Sequence, residues 1–218
     1  MDNLPNPIVL AAGLAILGLA PFIAIMVSSF VKLVVVMYLV RNALGVQQVP
    51  PNLAINGLAI ILSLYVMAPV GIAMHDSFTA RNVSLDDIQN PALFSAVQDS
   101  VEPVRDFLKK HSDADERSFF ARTTKDIWPQ PYAEQVNDEH LLVLLPAFTV
   151  SELSAAFEAG FLLYLPFLAI DLIVSNVLLA MGMIMVSPMM ISLPFKILLF
   201  VLADGWTRLI HGLVLSYQ

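Results

Sequence analysis

The chain has 218 residues, 58% hydrophobic and only 13% charged, with a formal charge of -7 and a mean hydropathy of +0.76. Soluble domains carry roughly 25% charged residues, so this is a membrane-class composition, and its acidity argues against a nucleic-acid partner, which calls for a basic face. The chain has no cysteine, which excludes disulfides, thiolate metal sites and thiol nucleophiles.

Between His75 and His140 lie 13 of the 18 acids and 7 of the 11 bases. The apolar remainder holds only Asp2, Lys32, Arg41, Glu152, Glu158, Asp171, Lys196, Asp204 and Arg208. Three regions follow: an N-terminal apolar helical hairpin over 1–74, a polar helical insert over 75–140, and C-terminal apolar helices over 141–218. The opening MDNLPNP carries no basic n-region, and the apolar stretch after it exceeds the ~7 to 15 residues of a signal h-region, so no cleaved signal peptide is expected.

Ile8 to Val40 is apolar apart from Ser28, Ser29 and Lys32. As one helix it would reach about 50 Å, beyond a ~30 Å hydrocarbon core, so it must break, tilt or protrude, and Pro21 is the expected place for a break or kink. Ala20, Ala24 and Ser28 recur every fourth residue, a seam of small side chains that would let another helix approach. RNALGVQQVPPN then reads as a turn. Gly45 suits a helix C-terminus, Pro50 and Pro51 cannot continue a helix, and a second helix is expected from Leu53 to Met74. Arg41 beside this short turn favours the cytoplasmic side for it and the periplasmic side for the insert.

Within the insert, Leu93, Val97, Val101, Val104 and Leu108 recur at three and four, the face of an amphipathic helix that Pro103 divides. A second short helix is expected around Ser118 to Trp128, ended by WPQP. Leu141 to Val186 is nearly all apolar, and its 46 residues make either two antiparallel segments or one long bent one. Ser187 to Pro194 reads as a turn-rich break and Phe195 to Tyr217 as a last helix.

No Gly-rich phosphate loop, His-Glu metal motif or nucleophile elbow is present. Asp138-Glu139-His140 reads as a solvated acidic loop end rather than a metal site. No catalytic residue, cofactor or metal site is expected, and the protein is read as not an enzyme. Charges in apolar segments should face protein or water rather than lipid. Glu152 or Glu158 pairing with Lys196 is the expected buried ion pair. The rival is that Asp171, Glu152 and Lys196 form the coupling site of an ion-coupled or small-molecule transporter.

Half of the ten methionines lie in residues 181–190. In a helix Met181, Met183 and Met185 would split between opposite sides, whereas an unwound segment could present them together. Gly182 loosens the backbone and Pro188 ends the run. Ordinary helix packing would also account for them. Methionine is unbranched and polarizable, however, so it can fill irregular space and re-pack around a changing shape.

RNALGVQQVPPN, LSLYVMAPVG, LLPAFTVSEL, GFLLYLPFLAIDLIVSNVLLAMGMIMVSP and SLPFKILLFVLADGW resemble the signature blocks of the R component of the type III secretion export apparatus, whose flagellar counterpart is FliP. The likeness covers most of Ser29 to Val70 and Leu141 to Trp206, and RNALGVQQVPPN is more similar to the virulence branch. It implies an all-α, membrane-associated export-gate subunit built of helical hairpins with long broken helices and a small helical insert. About five copies would assemble with the S and T components into a helical oligomer. Further partners would be the large export-gate component and other basal-body proteins, membrane lipid, and unfolded secreted proteins as cargo. The assembly would sit at the bacterial inner membrane, much of it on the periplasmic side. The methionine stretch resembles the family's pore gasket, which carries over to Met181, Met183 and Met185. Ile184 stands where many relatives have methionine, and it is apolar but β-branched and stiffer.

Overall fold

The computed structural model describes residues 7–80 and 91–218. Among them every regular element is a helix: α1 (Pro7–Met26), α2 (Phe30–Leu44), α3 (Asn52–Thr79), α4 (Pro91–Ser100), α5 (Glu102–His111), α6 (Ala114–Ile127), α7 (Gln130–Ala133), α8 (Leu141–Ala180), α9 (Pro188–Leu202) and α10 (Gly205–Leu215). MDNLPN, and with it the reading that no signal is cleaved, lies outside the described residues.

The core forms around α2, where Leu33, Val36, Met37, Val40 and Leu44 recur at three and four and are all buried. Ile55 and Ala59 of α3, Ala156 and Phe167 of α8, and Leu209 and Leu213 of α10 complete the cluster. Between helices surrounded by lipid, close packing rather than the hydrophobic effect supplies the attraction, so small residues matter. Gly160 of α8 shows this: a Cβ there would lie 2.2 Å from Leu39 Cδ1 and 3.1 Å from Leu39 Cβ. Gly160→Ala is therefore expected to force α8 away from α2 at a cost of about 1–3 kcal/mol. The check is the thermal midpoint of the purified protein in detergent, and an unchanged midpoint would mean that Leu39 simply swings aside.

The first apolar run breaks at Val27–Ser29 rather than at Pro21, which stays inside α1. The bend between α1 and α2 is 59°. Proline costs a helix one hydrogen bond, whereas serine offers the backbone rival partners. Ser28 Oγ donates to the Ile25 carbonyl at 3.2 Å and accepts from the Phe30 N–H at 3.4 Å. Ser29 Oγ meets Ser63 Oγ of α3 at 3.2 Å, tying the bend to the next helix. Ala20 and Ala24 of the expected seam remain exposed. The turn after α2 is as the sequence predicts: Gly45, at φ +76°, donates its N–H to the Asn42 carbonyl at 3.0 Å. α3 then runs through Pro69 to Thr79, past the expected end at Met74.

In the insert, Val101 separates α4 from α5, and Pro103 sits in the first turn of α5, where no N–H donor is needed. Asp113 opens α6, its Oδ1 accepting the Asp115 N–H at 2.8 Å. The insert is not a separate body. Phe107 and Leu108 of α5 pack with Leu144 and Phe148 of α8 and with Tyr217, with Val104 beside them. The side chains of Leu93 and Val97, also placed on this face by the sequence, lie outside the described residues.

Of the two forms open for Leu141 to Val186, one long helix is found. α8 has 40 residues, about 60 Å, with Pro146 and Pro166 inside it. By length and composition α3 and α8 could each cross a membrane, and α9 with α10 could do so as a pair bent by 60°. Two boundaries differ from expectation. Helix α9 starts at Pro188 rather than Phe195, because proline fits the first helical turn, and the expected break at Ser187–Pro194 shrinks to the residues before it. The expected helix over Phe195 to Tyr217 is interrupted at Ala203 and Asp204, the latter left-handed at φ +51°. The Phe200 ring covers Gly205, where a Cβ would lie 2.3 Å from ring carbons, and meets Trp206 edge-on at 5.5 Å between centroids. Only glycine leaves room for that ring at the corner.

Candidate functional site

The methionine segment lies in the turn between α8 and α9. Glycine decides how α8 stops. Gly182 is left-handed at φ +73°, its N–H reaches the Leu179 carbonyl at 3.0 Å, and the Met183 N–H reaches the Leu178 carbonyl at 2.9 Å. This pair of bonds is the Schellman closure of a helix C-terminus. The segment is thus neither helical nor an extended strand but a tight turn, with the Val186 N–H bonded to the Met183 carbonyl at 3.3 Å. Its side chains stand outward: Met181 is 59% exposed, Met183 42%, Ile184 80% and Met185 100%. Met189 and Met190, in the first turn of α9, are exposed as well. Ordinary packing within one chain does not account for this cluster.

A charged lock holds the two legs of the turn. Asp171 of α8 accepts from Ser192 Oγ of α9 at 2.6 Å through Oδ1 and from Lys196 Nζ at 2.6 Å through Oδ2. Lys196, only 3% exposed, also donates to the Ala43 carbonyl in the last turn of α2 at 3.1 Å. A cation is favoured there by the negative end of the helix dipole. Three helices therefore meet at one ammonium group above the turn.

A second anchor joins the insert, the core and the end of the chain. Glu152, 2% exposed, accepts from Lys32 Nζ at 3.1 Å through Oε1 and from the Tyr217 hydroxyl through Oε2. Lys32 Nζ lies 4.3 Å from the centroid of the Tyr217 ring, and that ring stacks on Phe107 of the insert at 6.1 Å. His111 packs beside both, at 4.7 Å from Phe107 and 5.1 Å from Tyr217 between centroids. Burial, together with the nearby charges of Lys110 and Lys32, lowers the His111 pKa to about 4, so its imidazole is neutral at physiological pH.

The acids expected to neutralise Lys196 are thus not its partners. Lys196 takes Asp171, Glu152 takes Lys32, and Glu158 is exposed and forms no ion pair among the described residues. The reason is register: α9 folds back along the last turns of α8, where Asp171 stands, while Glu152 and Glu158 lie nearer its other end. The Asp138-Glu139-His140 run is used locally. Glu139 pairs with Lys109, and His140 Nδ1 accepts the Leu142 N–H at 3.3 Å to cap α8. No group of three or more potential metal-ligating residues occurs among the described residues.

Ser192 and Tyr217 were not singled out by the sequence. Tyr217 had a signal, since Leu209, Leu213 and Tyr217 recur every fourth residue. Ser192 had none: a serine near a helix start most often reads as a cap.

The sequence model of the FliP family matches residues 14–213. Yop proteins translocation protein R of Yersinia pestis is 60% identical over 217 residues, covering 100% of this chain and 99% of that one. The hypersensitivity response secretion protein HrcR of Ralstonia nicotianae is 49% identical over 214 residues, 97% of this chain and 96% of its own. Virulence protein YscR of Salmonella typhimurium is 46% identical over 219 residues, 99% of this chain and 100% of its own.

Proposed function

The chain belongs to the FliP family, as a virulence-type R component of the type III secretion apparatus, and on that premise we propose that it is a core export-gate subunit whose methionine turn seals the pore. The protein is a non-enzymatic component of a bacterial type III protein secretion apparatus, associated with the membrane and assembling with other export-apparatus proteins.

About five copies would join the S and T components in a helical complex at the inner membrane, much of it toward the periplasm. Partners would include the large export-gate component and other basal-body proteins, and unfolded polypeptides would pass through the centre. The observation that carries this proposal is the outward display of Met181, Met183, Ile184 and Met185 on a turn held from behind by Asp171, Ser192 and Lys196. Apolar side chains converging from several copies would exclude water from a narrow constriction, which blocks ions by dewetting. Flexible thioethers would then yield around a polypeptide and close behind it. Ile184 supplies apolar bulk at the rim but bends less. Non-helical backbone at membrane depth is tolerated where it is buried in protein or lines a cavity, which is the setting this turn requires. Energy for transport comes from partners, because the chain carries no nucleotide-binding motif.

Replacing Met181, Met183 and Met185 together with Ala is expected to leave assembly intact and make cells leak small solutes. Release of a loaded dye from vesicles containing the complex measures this, and a tight membrane around a correctly assembled variant would remove the sealing role. A photo-crosslinking residue at position 183, with a secreted substrate stalled in transit and position 119 of the insert as control, should capture substrate only at 183.

A further inference from the structure

Four charges in the apolar part of the chain, Arg41, Glu158, Asp204 and Arg208, lack an ionic partner among the described residues, and of these Arg41 is met by the Pro50 carbonyl and Asn52 Oδ1 beside its own turn. Glu158 is exposed midway along α8, and Arg208 is exposed in the first turn of α10, whereas Lys32 and Lys196 are committed to Glu152 and Asp171. A charge in an apolar segment is costly unless an opposite charge or water meets it. Arg208 is doubly exposed to that cost, because a cation at a helix N-terminus faces the positive end of the helix dipole. Asp204 is better placed, since the same dipole end favours its negative charge.

Within one chain Glu158 and Arg208 stand on different features. Glu158 borders a polar cleft of about 390 Å³ beneath the insert. Arg208 borders an apolar cavity of about 660 Å³ between α2, α8, α9 and α10. Gly212 and Ser216 continue the Arg208 face at four-residue spacing, so another helix can come close there. Phe157 and Phe161, beside Glu158, are exposed apolar side chains suited to cover such a face.

We infer that Glu158 of one copy pairs with Arg208 of an adjacent copy, so that α8 of one subunit seats against α10 of the next. The two charges occur once each on the same polypeptide, which gives every copy one donor face and one acceptor face. Such a contact uses two different patches, and it therefore propagates into a ring or helix rather than closing as a two-fold dimer. The pairing rests on the multi-copy assembly proposed for the chain.

The absence of cysteine makes the test direct. Glu158→Cys and Arg208→Cys variants, coexpressed in the full complex, are treated with a short bis-maleimide, because an ion-paired Glu and Arg hold their Cα atoms beyond the ~7 Å that a disulfide tolerates. A dimer that forms when the two variants are mixed, and not from either alone, is the expected result. In parallel, Glu158→Arg or Arg208→Glu alone should lower the yield of assembled complex by about tenfold or more, and the double exchange should restore it. No link between the two variants in a complex whose mass by native mass spectrometry still shows several copies overturns the pairing and leaves the multi-copy reading standing. A native complex holding a single copy removes that reading and the pairing with it.

Discussion

Lys32→Met should cost this protein about 3–5 kcal/mol of stability, because it leaves the Glu152 carboxylate buried with only the Tyr217 hydroxyl beside it. Domains are stable by only about 5–15 kcal/mol in total, so a large share of folded protein is at stake. The expected readout is a fall in the thermal midpoint in detergent on the order of 10 °C, with weaker accumulation in membranes. The pair also joins parts that are distant in sequence. Lys32 belongs to α2, Glu152 to α8, and Tyr217 follows α10 and carries Phe107 of the insert on its ring. Losing the cation should therefore loosen the C-terminal helix and the insert together, visible as raised hydrogen exchange in both. Replacing both charges, as Lys32→Met with Glu152→Met, should recover much of the loss, since a well-packed apolar pair can match a buried ion pair. An unchanged midpoint in Lys32→Met would show that water or protonation already relieves Glu152.

The second large effect is expected at Asp171. Asp171→Ala strips buried Lys196 of its counter-charge and frees Ser192, leaving the ammonium only the Ala43 carbonyl. Because the Asp171 side chain is 32% exposed, solvent screening trims the cost to about 2–4 kcal/mol, below that of a fully buried pair. Function should suffer more than folding. The lock sits nine residues before the end of α8 and four after the start of α9, so its loss lets the two legs of the methionine turn drift apart. The expected result is solute leakage like that of the triple methionine variant, with faster proteolysis between 181 and 187. Asp171→Asn keeps an acceptor for Ser192 and should leak less than Asp171→Ala. If both variants seal equally well while transport stops, Asp171 acts in ion coupling, as in the transporter reading, and not in holding the turn.

The exposed surface fits a subunit made for an assembly. Phe161, Leu168, Leu172 and Ile173 on α8 and Leu198, Val201 and Leu202 on α9 are exposed in the single chain, as are most described side chains of α1. Such faces must meet lipid or other subunits. Helix α8, about twice as long as a hydrocarbon core is thick, cannot lie wholly within one as a simple span.

Sequence by itself determined the helical class, the polar insert, the turn at Gly45 and the family, because each rests on information local to a few residues: hydropathy, glycine and proline placement, and long specific blocks. It also singled out the methionine segment, since non-helical presentation could be argued from alternate spacing and Gly182. What it could not supply were the partners of the buried charges and the true sites of bending. Choosing between Asp171 and Glu152 as the partner of Lys196 depends on how far α9 folds back along α8. The bend at Ser28 and Ser29, in place of Pro21, depends on Ser63 arriving from another helix. Such contacts join residues 21 to 153 positions apart, as the Ser192–Asp171 and Lys196–Ala43 bonds do. Their energy is decided only when the helices pack, because only then are the charges out of water and in need of one another.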